Sequence, residues 1–172
     1  MCFYSKHFSD TSTWLNDDDA PVAARVNQYL QSLLGLGTLY SKDEAEKYQL
    51  ANYGIGGHYV PHHDYFEDSH TSSKGHRFGN RVATLMIYMS DVEEGGATVF
   101  PGLGVRVSPK KGDAVFWWNI KSSWEGEMLT WHAGCPVLYG SKWIANKWFG
   151  SYSNVFRMPC STNQNASLAP LV

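Results

Sequence analysis

The feature that most constrains the fold is the spacing of His62, Asp64, His132 and Lys142. In an extended strand, residues two apart share a face. His62 and Asp64 therefore point the same way, and His63 points the other. His132 lies 68 residues beyond Asp64. Bringing such distant groups together requires non-local strand pairing, which a β-barrel or jelly roll provides. The segment from Gln49 to Pro61 is extended and aromatic in composition, consistent with a strand that ends at the motif.

Two imidazoles and one carboxylate form the ligand set of a non-haem Fe(II) centre, with one face of the metal left open. Lys142 follows His132 by ten positions and suits the far carboxylate of a chelating 2-oxoacid. The set implies an enzyme that oxidises unactivated C–H bonds. Other readings exist for each residue. A His-x-Asp triplet alone is a weak signal among seven histidines. Zinc takes the same ligand types, and a structural zinc site would want a fourth ligand, for which Cys135 is the candidate near His132. His63 is the rival ligand, disfavoured by its facing. His58 reads as a core or supporting residue; His7, His70 and His76 sit in polar stretches.

A length of 172 residues fits one domain with a substantial core. The net charge of −2 gives no indication of nucleic-acid binding or attraction to an anionic membrane. No apolar run approaches the roughly 20 residues that span a bilayer. Met1 to Lys6 lacks the features of a signal peptide, so the chain is either cytosolic or lacks an N-terminal part. Cys135 and Cys160 are close enough in sequence for a bridge or for two buried thiols, and spacing does not decide between them. Asn165-Ala-Ser is a glycosylation sequon.

The pattern along the chain is helix first, then strands. Asp17-Asp-Asp-Ala-Pro21 reads as a helix start, with Val22, Val26, Leu30, Leu33 and Leu34 as its apolar stripe and Gly35 to Gly37 as its end. Ser41-Lys-Asp-Glu44 reads as a capping box for a short second helix. From Tyr48 onward, short apolar runs separated by Gly, Pro and Asp occupy about 81–90, 97–100, 104–107, 113–119, 128–132, 135–139 and 142–149. Such spacing predicts a mainly β sandwich or jelly roll with a supporting N-terminal α-helix. The polar stretch Glu67 to Asn80 reads as a loop beside the metal motif, and 161–172 as a disordered tail.

Several blocks now carry a specific resemblance. They are Leu50-Ala-Asn-Tyr-Gly-Ile-Gly-Gly-His-Tyr-Val-Pro-His-His-Asp, Gly79-Asn-Arg-Val-Ala-Thr, Tyr88-Met-Ser-Asp-Val, Gly95-Gly-Ala-Thr-Val-Phe-Pro, Pro109-Lys-Lys-Gly-Asp-Ala-Val-Phe-Trp and His132-Ala-Gly-Cys-Pro-Val-Leu-Tyr-Gly-Ser-Lys-Trp-Ile-Ala-Asn-Lys-Trp. In this order they resemble the catalytic domain of the collagen prolyl 4-hydroxylase alpha subunits, over most of residues 12 to 160. The resemblance implies a double-stranded β-helix and a catalytic domain at 1–160, lacking the family's leading strands. It implies Fe(II) on His62, Asp64 and His132, and 2-oxoglutarate with its C5 carboxylate on Lys142. Tyr88 would donate to that carboxylate, Tyr53 would face the cofactor or the peptide, and Arg81 is a candidate peptide contact; core packing and a surface charge are the plain alternatives. Trp117, Trp118, Trp143 and Trp148 are candidates for an aromatic groove, although core packing suits most of them.

The implied reaction is 4-hydroxylation of proline in X-Pro-Gly repeats of a procollagen-like peptide, with O2 and 2-oxoglutarate consumed and L-ascorbate rescuing over-oxidised iron. The family also implies a Cys135–Cys160 disulfide, the endoplasmic reticulum lumen, and oligomers with protein disulfide isomerase. Two positions depart from its pattern. Gly150 stands where a His is usual, and Trp131 replaces a basic residue before the distal His. The alternatives are a 2-oxoglutarate hydroxylase for lysine or a non-collagen proline, and a truncated isoform that binds peptide or partner without turnover.

Overall fold

Turn residues punctuate this chain every few positions, and the runs between them fold as strands. The computed structural model describes residues 10–67, 77–158, 161–163, 166 and 168. In chain order the strands are β1 (Asp10–Leu15), β2 (Tyr48–Tyr53), β3 (Tyr59–His62), β4 (Arg81–Tyr88), β5 (Glu94–Gly95), β6 (Thr98–Phe100), β7 (Val105–Val107), β8 (Ala114–Trp118), β9 (His132–Gly134), β10 (Val137–Tyr139) and β11 (Lys142–Gly150). One long helix, α1 (Pro21–Leu34), lies between β1 and β2. The major sheet has the order β1-β2-β11-β4-β8 and the minor sheet β3-β9-β6-β7; β10 and β5 form a short ribbon. Every recorded pairing is antiparallel. This is the jelly-roll, double-stranded β-helix architecture.

The side-chain period of two divides the core. On β11, Lys142, Ile144, Asn146 and Trp148 line the interior cavity, while Ala145 and Phe149 join apolar clusters on the other face. Met86, Tyr88, Phe100, Trp117, Val137 and Ile144 fill the space between the sheets. On the outer face, Leu30 of α1 packs with Leu36, Leu85 and Phe149.

Several local expectations are corrected. A strand precedes the helix: β1 pairs along its whole length with β2 and forms the edge of the major sheet. The polar residues of Asp10-Thr-Ser-Thr hide the period-two signal, and pairing supplies what the pattern lacks. The helix ends as expected, with Gly35 in the left-handed region at φ 69° and its N–H donating to the Gln31 carbonyl. Its buried face is shifted: Val26, Leu30 and Leu34 of the expected stripe pack on the core. Ala23, Asn27 and Leu30 are buried, whereas Val22 and Leu33 are exposed. The burial of Asn27 explains the rotation, because its side-chain oxygen accepts from the Tyr48 hydroxyl at 2.7 Å. No helix follows Ser41-Lys-Asp-Glu44. A single 3₁₀ turn, Tyr40–Lys42, ends there with Asp43 at φ 57°, and Glu44 turns inward to accept from the Leu39 N–H. Met128–Thr130 is likewise a 3₁₀ turn rather than the start of a strand.

Two described residues of the C-terminal segment pack against the fold. Leu168 is buried in the outer core cluster, and the Ser122 hydroxyl donates to the Ala166 carbonyl at 3.0 Å. An apolar residue with a core site available packs into it. Residues 68–76, including most of the polar loop, and Asn165, Ser167 and Cys160 lie outside the described residues.

Candidate metal and cosubstrate centre

The three metal-ligand candidates meet because two strands place them face to face. His62, the last residue of β3, is directly opposite His132, the first residue of β9. Asp64 lies two residues past the end of β3 and is buried. His62 Nε2 is 3.6 Å from Asp64 Oδ1, and His132 Nε2 is 3.9 Å from Asp64 Oδ2. All three ligand atoms lie within 4.8 Å of one another. His63 is not in this group; it packs against Tyr65 and Trp131, with ring centroids at 4.7 and 4.3 Å. Cys135 is likewise outside it. A two-His, one-carboxylate set with no fourth protein ligand among the described residues leaves coordination positions open, which suits Fe(II) rather than a closed structural zinc site.

Backbone carbonyls fix both imidazoles. His62 Nδ1 is 2.8 Å from the Val60 carbonyl oxygen and His132 Nδ1 is 2.9 Å from that of Thr130. A carbonyl can only accept, so each Nδ1 carries the hydrogen and each Nε2 keeps its lone pair for a metal. Burial pushes the His132 pKa down, against the opposing pull of Asp64, which favours the neutral, ligating form. Burial alone would raise the Asp64 pKa. In the metal-free site, His62 and His132 when protonated, together with the Thr84 hydroxyl, outweigh it and bring the pKa down to about 2. The Thr84 hydroxyl donates to Asp64 Oδ2 at 2.7 Å and accepts from Asn119 Nδ2 at 2.8 Å.

Thr84 and Asn119 were not anticipated. Thr84 had a signal: it is the one hydroxyl in the otherwise apolar β4 run Val82 to Ile87. Asn119 had none.

Lys142 opens β11 opposite Tyr53. It is 3 % exposed. The ammonium donates to the Thr98 hydroxyl at 3.4 Å and lies 5.7 and 5.5 Å from the ring centres of Tyr53 and Tyr88. No carboxylate among the described residues pairs with it. Burial lowers its pKa to about 8, with a small opposing effect from the nearby Cys135. A buried ammonium with no acid partner is costly, and a ligand carboxylate would remove that cost. Lys142, the three metal-ligand candidates, Tyr53, Thr98 and Cys135 all line one cavity of about 270 Å³. Trp117 and Trp148 line it too, and their buried indole N–H groups have no hydrogen-bond partner. The donor set thus fits both a divalent metal and a dicarboxylate.

The remaining expected residues divide. Tyr53 is on the cavity wall. Tyr88 is fully buried behind it, and its hydroxyl donates to Thr98 at 2.8 Å, so the wall residue beside Lys142 is Thr98. Arg81 lines the cavity, held by Glu46 at 2.5 and 3.0 Å and stacked 3.8 Å above the Trp148 ring; it is not a loose surface charge. Trp118 packs in the outer cluster and Trp143 is exposed. Cys135 carries a free thiol among the described residues, and Cys160 lies outside them. Gly150 sits eight residues along β11 from Lys142, away from the cavity lining. A Cβ there would come 2.6 Å from the Phe78 Cβ and carbonyl oxygen, so the missing side chain reflects close packing.

Residues 48–150 match the profile of the 2OG-Fe(II) oxygenase superfamily. This chain belongs to that superfamily. It is 51 % identical over 156 residues to prolyl 4-hydroxylase subunit alpha-2 of Gallus gallus, and 48 % identical over 154 residues to subunit alpha-1 of Homo sapiens. Each match covers 89 % of this chain and 28 % of the relative; the chain spans little more than a quarter of their length. Among solved structures it resembles the viral collagen prolyl hydroxylase of Paramecium Bursaria Chlorella virus-1 in its 2OG complex. The TM-score is 0.71 at 30 % identity, covering 83 % of this chain and 78 % of the other. A prolyl hydroxylase of Trichoplax adhaerens, in complex with a hypoxia inducible factor peptide, shares the oxygenase fold at a TM-score of 0.60 and 16 % identity.

Proposed function

We propose that residues 1–160 form the catalytic unit of a procollagen-proline 4-dioxygenase. The observation that carries this reading is the pairing, in one cavity, of an open two-His, one-carboxylate site with a buried, acid-free Lys142. His62, Asp64 and His132 would hold Fe(II). Lys142, with Thr98 beside it and Tyr88 behind, would take the C5 carboxylate of 2-oxoglutarate, and Tyr53 would pack against the chain of the cosubstrate. When bound, Fe(II) and 2-oxoglutarate supply the oxidising chemistry: O2 gives one oxygen atom to succinate, with loss of CO2, and the other to C4 of proline.

The protein's own contribution is positional. The Val60 and Thr130 carbonyls hold the imidazoles, Thr84 and Asn119 hold Asp64, and the sheets exclude water around the reacting atoms. Arg81, fixed by Glu46 over Trp148, would face the peptide, and Trp14, exposed and on the cavity wall, suits an extended polyproline-II chain. Ascorbate to restore over-oxidised iron, a Cys135–Cys160 disulfide, the endoplasmic reticulum lumen and association with protein disulfide isomerase belong to the same reading. Its support is the similarity to the alpha subunits.

The test is succinate release coupled to 4-hydroxyproline formation on (Pro-Pro-Gly)n, with Fe(II), 2-oxoglutarate and ascorbate, beside His132→Ala. We expect turnover in the native chain and none in the variant. Succinate without hydroxyproline on this peptide, but with product on lysine-containing or non-collagen peptides, would replace the substrate assignment. No succinate from folded, metal-loaded protein would overturn the enzyme assignment.

A further inference from the structure

The cavity extends beyond the metal and Lys142, and one pair of side chains on its wall has no role in holding either. Gln49 of β2 and Asn146 of β11 are directly opposite in the sheet register. Asn146 Nδ2 donates to Gln49 Oε1 at 3.2 Å. Both are half-buried and both line the cavity. Their neighbours in the same transverse row are Trp14 on β1 and Met86 on β4. Along β11 the inward residues run Lys142, Ile144, Asn146, Trp148. At about 3.3 Å per residue the amide pair therefore stands about 13 Å from Lys142, toward Arg81 and Trp148 and away from the cosubstrate end.

One hydrogen bond between two primary amides leaves most of their donor and acceptor sites unused. As assigned, the Gln49 amino group keeps two donors and Asn146 Oδ1 keeps its acceptor sites. Exchanging O and N in both side chains preserves the bond and only swaps the two roles. In either assignment the pair offers one amino group and one carbonyl oxygen to whatever enters the cavity. Trp14, Met86, Ile144 and Trp148 flank the pair on the cavity wall, and Arg81 there can only donate, so the pair is the neighbouring group that can both accept from a backbone N–H and donate to a C=O.

A proline-rich chain is short of N–H groups. Proline has none, and in Pro-Pro-Gly the glycine N–H is the only backbone donor of the triplet. In an extended chain the N–H and C=O of one residue face the same side. A glycine also has no side chain to keep its backbone away from a flat wall. We propose that the Gln49–Asn146 pair binds the backbone of the glycine that follows the target proline, accepting its N–H and donating to its C=O, and so sets the glycine requirement of the substrate. This rests on the prolyl hydroxylase reading above.

The test uses single-target Pro-Pro-Gly peptides, with the glycine either natural or replaced by glycolic acid, which turns the amide into an ester and removes the N–H. The native chain should favour the amide by roughly tenfold in kcat/KM, the scale of one such hydrogen bond. Asn146→Leu and Gln49→Leu should each raise KM for the amide peptide by about that factor, and the one of the two that removes the acceptor should also bring the amide-to-ester ratio toward one. The KM for 2-oxoglutarate and the affinity for Mn(II) should stay unchanged. If the leucine variants fail to fold, Gln49→Glu and Asn146→Asp keep the size and remove the amino donors; the one that removes the donor to the glycine C=O should raise KM for both peptides while the amide preference persists. An unchanged peptide KM, an amide-to-ester ratio unchanged in both leucine variants, or an effect seen only in 2-oxoglutarate KM would each overturn the proposal. A native chain inactive on both peptides would instead count against the hydroxylase reading itself.

Discussion

Two buried lysines five residues apart on β11 show how one strand divides its work. Lys147 faces α1 and is 0 % exposed; its ammonium pairs with Asp17 at 2.9 Å and lies 4.4 Å from the Tyr48 ring centre. Lys142 faces the cavity, is nearly as buried, and has no acid partner among the described residues. Burial lowers both pKa values. For Lys147 the hydrogen bond and charge of Asp17 oppose the shift, whereas for Lys142 only the weak influence of Cys135 does. A buried cation whose counter-charge is built into the chain is scaffold. A buried cation whose counter-charge is absent is a receptor for one.

The sharpest way to break this comparison is to remove each ammonium in turn. Lys142→Met should cut kcat/KM for 2-oxoglutarate by roughly 10³-fold, because the ligand carboxylate would be buried unpaired. The melting temperature of the ligand-free protein should hold or rise. A fall in melting temperature with normal cosubstrate kinetics would make Lys142 structural. Lys147→Met should do the reverse. It strands Asp17 and should cost about 3–5 kcal/mol in denaturant unfolding, with 2-oxoglutarate KM unchanged. Adding Asp17→Asn should restore much of that loss.

Thr84→Val extends the comparison to the buried carboxylate. Asp64 would lose a hydrogen-bond donor while Asn119 loses an acceptor. Mn(II) affinity, measured by calorimetry, should fall roughly 10- to 100-fold. An unchanged affinity would mean that the two imidazoles orient Asp64 without Thr84.

The smallest effect is read from pH. The free Lys142 is charged below about 8, and a dianionic ligand binds the charged form. The KM for 2-oxoglutarate should therefore be flat below pH 8 and rise about tenfold per unit above it, until the bound-state pKa is reached. Folding responds with the opposite sign. Between pH 8 and 10.5, the unfolded lysine holds a proton that the folded one has lost, so this residue makes the ligand-free protein more stable as pH rises. A flat 2-oxoglutarate KM from pH 7 to 9.5 would contradict the assignment of Lys142 as the carboxylate partner.

Much of this site was legible before the fold was known, because its chemistry is written in local spacing. His62-x-Asp64 shares a face by the two-residue period of a strand, and the 68-residue gap to His132 demands a wrapped sheet. The turn residues between short apolar runs specify many strands, and Gly35 marks the end of α1. Where spacing was the only guide, it also misled. An i, i+4 stripe placed Val22, Val26, Leu30, Leu33 and Leu34 inward; Val26, Leu30 and Leu34 do pack on the core, but the buried Asn27–Tyr48 hydrogen bond shifts the face enough to leave Val22 and Leu33 exposed. A capping pattern at Ser41 to Glu44 had no helix to cap once Glu44 turned into the core.

The sequence by itself determined the metal-ligand candidates, the candidate lysine ten residues beyond them and the jelly-roll class, since these follow from residue identity, spacing and the period of a strand. Only the tertiary structure decided which lysine finds an acid, with Asp17 and Lys147 separated by 130 positions, and which amides meet, with Gln49 and Asn146 separated by 97. The reason is register. A slip of one residue between strands distant in sequence exchanges the inner and outer faces, and the order β2-β11-β4, which fixes that register, is set by packing of the whole barrel rather than by any segment of the chain.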